Sequence, residues 1–291
     1  MSNEIDRRGI AWFLALAFIP TTALSLILSS MQESFADRLI IYNKLFLIAV
    51  MFFPGISALI VRKFINKECF KDPMMKFGSW KPYLQASLFI PLLYIIIYAI
   101  TGLLYPPDFT LKIFMARIGI EEMPFDPSMF ILVFFIITLT VAPVINFIPA
   151  FGEEFGWRGY LLPKLLPLGR EKALVISGII WGLWHLPFVF LIGYKSYPDK
   201  IAGGLIFTAL ITLLGIYIGA LALKNKSTFL ASYMHGIFNA QDHGIWTIIY
   251  PNYNHLIGGG EGLIGVIVLL PVALYYLRKN DSVLSYSSPD Y

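Results

Sequence analysis

The feature that most constrains this chain is the length of its apolar runs. A helix needs about 20 mostly apolar residues to cross a bilayer. Runs of that length recur at roughly 10–30, 39–61, 83–104, 129–151, 172–192, 201–223, 227–249 and 257–277. The composition agrees, with 57% of residues apolar and 14% charged, against about 25% charged in soluble domains. The expected fold is all-α: a polytopic membrane protein of about eight transmembrane helices, read as a single membrane-embedded domain over 1–291. Arg7 and Arg8 could open a secretory signal. The first run is too long for a signal core, however, and no small-residue cleavage site follows it, so it is read as the first span.

Orientation follows from Lys and Arg. With the N-terminus in the cytoplasm, most of the 22 Lys and Arg residues fall on the inner side of this helix count. Both termini are then cytoplasmic. The net charge of +4 reflects that inside bias, so no nucleic-acid partner is invoked. The 62–82 segment alternates Lys with Phe, Met and Trp and reads as a basic stretch in the cytoplasmic interface, facing anionic lipid. It holds Cys69, the single cysteine, so no disulfide forms within one chain. The outer 105–128 segment reads as a loop with one short helix, and 279–291 as a polar tail.

Charged side chains cost about 2.5–3.5 kcal/mol at the centre of a membrane helix, and those present usually face the bundle interior. The membrane therefore filters the candidates. In Phe151–Leu166, FGEEFGWRGYLLPKLL, Glu154 and Arg158 are four apart in the favoured order for a helical ion pair, which suits structural support. Glu153 points about 100° away and has no partner on its own helix. His185, in WGLWHLPF, lies two residues before Pro187, and its bland reading is a neutral ring bonded to a freed carbonyl. His235 and Asn239, in MHGIFNA, share one helix face, and their bland reading is helix–helix hydrogen bonding. Asp242 and His243 continue that face and rank as bystanders or secondary polar groups. No role is assigned to His255. Glu121-Glu122 is a second double glutamate, but it has no Arg four residues on and lies in the outer loop.

Depth allows the three sites to meet. His235 lies about 13 Å from the inner end of its helix and His185 roughly 20 Å from its own, at 1.5 Å per residue. Glu153 reaches that depth if its helix continues to about Leu162. One carboxylate, two imidazoles and one carboxamide then suit the attack of water on an amide. Glu153 would act as base with His185 holding the water, while His235 and Asn239 donate to the developing oxyanion. Zinc is the chemical rival: Glu153, His185 and His235 could make three ligands with an open fourth position. No His-Glu-x-x-His spacing is present, and the preferred reading has no cofactor.

Glu153-Glu154-x-x-x-Arg158 with Gly-Tyr-Leu-Leu-Pro, then His185, then His235-x-x-x-Asn239 resembles the CAAX-protease and bacteriocin-processing family of intramembrane endopeptidases. That family includes type II CAAX prenyl endopeptidases and bacterial self-immunity proteins. The similarity covers about 125–250. It implies an all-helical fold whose catalytic cavity opens to the cytoplasmic side, water activated by Glu153 and His185, and an oxyanion site at His235 and Asn239. It also implies a supporting Glu154–Arg158 pair. The family's second motif usually reads Phe-x-x-x-His; here Trp181 takes the aromatic position. The implied substrate is a lipidated or membrane-associated peptide, of CAAX or leader and bacteriocin type. A prokaryotic plasma membrane is favoured over the endoplasmic reticulum. Two other classes stand beside this one. A proton-coupled transporter would also bury carboxylate and imidazole, but would usually show repeated halves, and none is evident. A non-catalytic immunity or scaffold protein would keep the helices and lose the site.

Overall fold

The computed structural model describes residues 4–31, 39–68, 74–121 and 126–279; within these, the side chains of residues 39–44 are left aside. Arg38, Cys69, Glu122 and the tail from Asn280 lie outside the described residues. The helices are α1 (Arg7–Met31), α2 (Leu39–Val50), α3 (Phe53–Ile60), α4 (Lys81–Leu104), α5 (Lys112–Ile118), α6 (Pro127–Leu139) and α7 (Val141–Gly156). They continue as α8 (Leu162–Leu165), α9 (Arg170–Trp184), α10 (Leu186–Leu191), α11 (Lys200–Asn225), α12 (Thr228–Asp242), α13 (Ile245–Ile249) and α14 (Leu263–Arg278). No strand occurs among the described residues, only an isolated bridge between Met75 and Ser227. Six helical segments there are long and apolar enough to cross a membrane, and α14 is a shorter apolar helix. The chain is an all-α, multi-pass membrane protein.

Each of the eight apolar runs falls on helix, but five are interrupted: the run at 39–61 breaks at Met51–Phe52 and the run at 172–192 at His185. The run at 129–151 breaks at Thr140, between α6 and α7. The run at 227–249 breaks after Asp242, and the last run becomes helical only at Leu263. The continuation expected beyond Glu153 is present: α7 passes through a π-helical turn at Trp157–Leu161 into α8 and a 3-10 turn ending at Leu168. Local chemistry marks several starts. Asp126 accepts from the Ser128 and Met129 amides, Asp199 from those of Ile201 and Ala202, and Ser227 from that of Leu230. Each satisfies amides that the first turn leaves without a helical partner. The loop helix expected within 105–128 is α5, and Arg117 ties that segment to Pro251 O at 2.7 Å and Asn252 Oδ1 at 2.9 Å.

Close helix approach depends on glycine. A Cβ at Gly156 would lie 2.5 Å from the backbone carbon of Pro54, and one at Gly152 would lie 2.8 Å from Met51 O. The N-terminal end of α3 is therefore pressed against α7 beside the double glutamate. On the other side, a Cβ at Gly178 of α9 would lie 2.8 Å from Thr212 O of α11, and one at Gly236 of α12 would lie 2.8 Å from Pro143 O of α7. Small residues at such crossings let dispersion and weak polar contacts hold helices together in lipid, where the hydrophobic effect between helices is absent. A β-branched side chain at Gly156 or Gly178 meets backbone, which cannot swing away. Gly156→Val and Gly178→Val are each expected to reduce the monodisperse fraction in detergent severalfold, measured by fluorescence-detected size exclusion.

Candidate active site

The site is built where α7, α9 and α12 meet. Glu153 and Glu154 are both buried near the end of α7, at 2% and 0% exposure. Glu154 Oε1 accepts from Arg158 Nη1 at 2.9 Å and from His235 Nδ1 at 3.0 Å. The ion pair expected from spacing is present, and it has a third member that spacing could not reveal. Arg158 is 1% exposed and its guanidinium lies over the Trp181 ring, 4.1 Å from the centroid. A Cβ at Gly215 would lie 3.2 Å from Arg158 Nη2, so that glycine leaves room for the guanidinium. Glu154 Oε2 and Arg158 Nη2 are buried with no hydrogen-bond partner among the described residues. The stacked indole face is the favourable contact left to the cation.

Glu153 lacks a partner on its own helix, as its position suggested, but gains one from α9. The Trp181 indole N–H donates to Glu153 Oε2 at 2.7 Å. His185 sits at the break between α9 and α10, not within one straight helix. Its backbone N–H turns to Gly182 O at 3.1 Å, and its ring Nδ1 bonds Trp181 O at 2.8 Å. The bland expectation of a ring on a freed carbonyl is therefore met in kind, with Trp181 as the carbonyl. A carbonyl only accepts, so Nδ1 carries the proton and Nε2 presents a lone pair. The His185 and His235 rings lie against Trp181, with centroids 5.7 Å and 5.2 Å away.

His185, His235 and Asn239 line one cavity, with Trp181 in its wall. The cavity holds about 50 Å³ of space for water, and one water needs about 10–15 Å³ on that measure. Apolar side chains, including Phe207, Leu210, Leu214 and Phe238, form much of the wall. Glu153 is not itself among the lining residues and meets the cavity wall through Trp181. Asp242, expected to be peripheral, also lines the cavity. It accepts from Tyr94 Oη at 2.5 Å and from Lys195 Nζ at 3.4 Å. Lys195 looks like an ordinary loop lysine in sequence, yet its side chain is buried and its backbone has a positive φ of 68°. The His255 ring lies tilted against that of Tyr253, with centroids 4.5 Å apart, and His255 faces Glu261 at 3.4 Å. Tyr94 gave no sequence signal within an apolar helix. Trp181 gave one, as an aromatic replacement.

Among the described residues, no group of three His, Cys, Asp or Glu side chains is placed to hold a metal ion. His235 turns one nitrogen to Glu154, and Glu153 turns one oxygen to Trp181. The second atom of each, and His185 Nε2, stays without a protein partner among the described residues.

Residues 124–241 match the family model described as type II CAAX prenyl endopeptidase, Rce1-like. Over 92 residues the chain is 39% identical to a Methanococcus maripaludis protein named CAAX prenyl protease 2. That alignment covers 30% of this chain and 34% of the relative, so the similarity spans about a third of the relative's length. The matched segment contains Glu153, Glu154, Arg158, His185, His235 and Asn239. Residues 124–241 are thus similar to the Rce1-like type II CAAX prenyl endopeptidases, and that likeness takes in every candidate site residue.

Proposed function

We propose that this chain is an intramembrane endopeptidase that hydrolyses a peptide bond in a lipidated or membrane-associated protein. One observation carries the reading. Glu153, His185 and His235 are each anchored by one atom, and the other polar atom of each has no partner among the described residues. Glu153 is held through Oε2, His185 through Nδ1 and His235 through Nδ1. Glu153 Oε1, His185 Nε2, His235 Nε2 and the Asn239 carboxamide are neither paired nor sealed in as buried orphans. A purely structural histidine or glutamate gains nothing from an open second atom in lipid, where unpaired polar groups are costly.

The chemistry follows from these atoms. Glu153 Oε1 takes a proton from water while His185 Nε2 accepts the other O–H and orients the oxygen. The water oxygen adds to the peptide carbonyl, and the carbonyl oxygen becomes an oxyanion. Asn239 Nδ2 donates to it. His235 donates from Nε2 only when the ring carries both protons, since Nδ1–H already faces Glu154, whose carboxylate is the counter-charge for that form. Collapse of the intermediate breaks the C–N bond, and Glu153 returns its proton to the leaving amine. No metal is assigned a step.

The substrate class is a peptide tethered by a lipid, and a prenylated C-terminus is the form suggested by the relative's name. The Lys and Arg bias suggests cytoplasmic termini and a cavity served from that side. The transporter and scaffold readings lack an observation of comparable weight.

Four outcomes test this reading. Glu153→Gln is expected to lower turnover of a fluorogenic, lipid-anchored peptide by about a hundredfold to ten-thousandfold, with folded yield unchanged. Asn239→Ala is expected to cost about a hundredfold to a thousandfold in kcat with a small change in KM; unchanged turnover would remove it from the oxyanion site. Glu154→Ala strands Arg158 in the bundle, a loss of about 3–5 kcal/mol for a broken buried pair, and is expected to appear as low folded yield before any effect on kcat can be read. Prolonged chelation is expected to leave turnover intact. Loss on chelation with recovery on added zinc would return the metal reading.

A further inference from the structure

We infer that Trp181 is the positioning residue of this site: its indole N–H holds Oε2 of the Glu153 carboxylate and leaves Oε1 free to act as the base. The inference deepens the peptidase reading and rests on Glu153 being the base. Four contacts converge on this residue. Its Nε1–H donates to Glu153 Oε2 at 2.7 Å. Its carbonyl holds His185 Nδ1 at 2.8 Å. Its ring carries the Arg158 guanidinium at 4.1 Å and meets the His235 ring at 5.2 Å. Through these contacts Trp181 touches both groups assigned to the water and both partners of Glu154 Oε1. It is 1% exposed, so the indole has no freedom to turn away.

The carbonyl contact is available to any residue at this position, because it uses the main chain. The N–H contact is not. A phenylalanine, which the resembled family usually carries here, could fill the ring position and stack on Arg158, but it has no donor. A carboxylate at the end of a flexible side chain rotates about its last bond, and its two oxygens are equivalent until something holds one of them. No other protein donor to Glu153 is found among the described residues. The indole bond removes that rotational freedom before substrate arrives, and placement errors near 1 Å cost about a hundredfold in rate. The bond acts on the rate of the chemical step and not on substrate binding, because the N–H points to Glu153 and not into the cavity.

The test replaces the donor and keeps the shape. Trp181→Phe is made alongside a protein carrying 3-benzothienylalanine at position 181, which is nearly isosteric with tryptophan and lacks the N–H. Both are expected to lower kcat about tenfold to a hundredfold, with KM unchanged. Unchanged kcat in the benzothienyl protein would overturn the inference. A second readout needs no activity. The indole N–H resonance of Trp181, identified as the one missing from Trp181→Phe, is expected to shift upfield in Glu153→Leu; an unmoved resonance means the bond does not form in solution. A wild type that cleaves no lipid-anchored peptide overturns the peptidase reading and the catalytic consequence together, while the resonance alone still decides the bond.

Discussion

The site depends on one buried carboxylate oxygen. Glu154 Oε1 binds Arg158 on its own helical stretch at 2.9 Å and His235 on α12 at 3.0 Å. Removing these charges from water is expensive, and their mutual attraction repays that only when geometry is good. Net stability is therefore a poor explanation for the cluster. Specificity of assembly is a better one, because α7 and α12 can meet in few registers that satisfy all three groups. Arg158 extends the constraint to α9 by lying on Trp181. Once these helices are fixed, the positions of Glu153, His185 and His235 follow.

The upstream helices, which lie outside the matched segment, also bear on the site. Trp184 Nε1 donates to Thr21 Oγ1 at 3.0 Å, and its ring packs edge-on to His185 at 5.0 Å. Phe13 of α1 packs edge-on against Trp157 at 5.4 Å. On the other face, Gly152 and Gly156 let α3 approach the turn of α7 that carries both glutamates. The motif residues thus rest on α1 and α3 as a backing wall. The break at His185 serves the same end. Pro187 cannot continue the helical hydrogen-bond ladder, and the ring takes the Trp181 carbonyl that a regular helix would have used for the His185 amide.

Much of the fold was legible in the sequence because lipid leaves few choices. A backbone without water must satisfy its own hydrogen bonds, and helices do so within one segment. Apolar run length therefore gave helix location well and helix ends poorly. The breaks at Thr140 and after Asp242 lie inside apolar runs, where hydropathy carries no mark. The candidate site was also largely legible, since ionisable residues in such runs are few and costly. Spacing found Glu154–Arg158 because the two share a helix.

What the sequence determined by itself is the solvent, the helical class, the short set of polar residues that must face inward, and their likeness to one family. Tertiary structure alone decided which of them meet. Trp181 bonds Glu153 across 28 positions, and Glu154 bonds His235 across 81. Lys195 and Asp242 come together across 47. No local period encodes such pairings. They arise from helix crossings set by glycine contacts and by the need to pair each buried charge, and both are properties of the packed bundle rather than of any one segment.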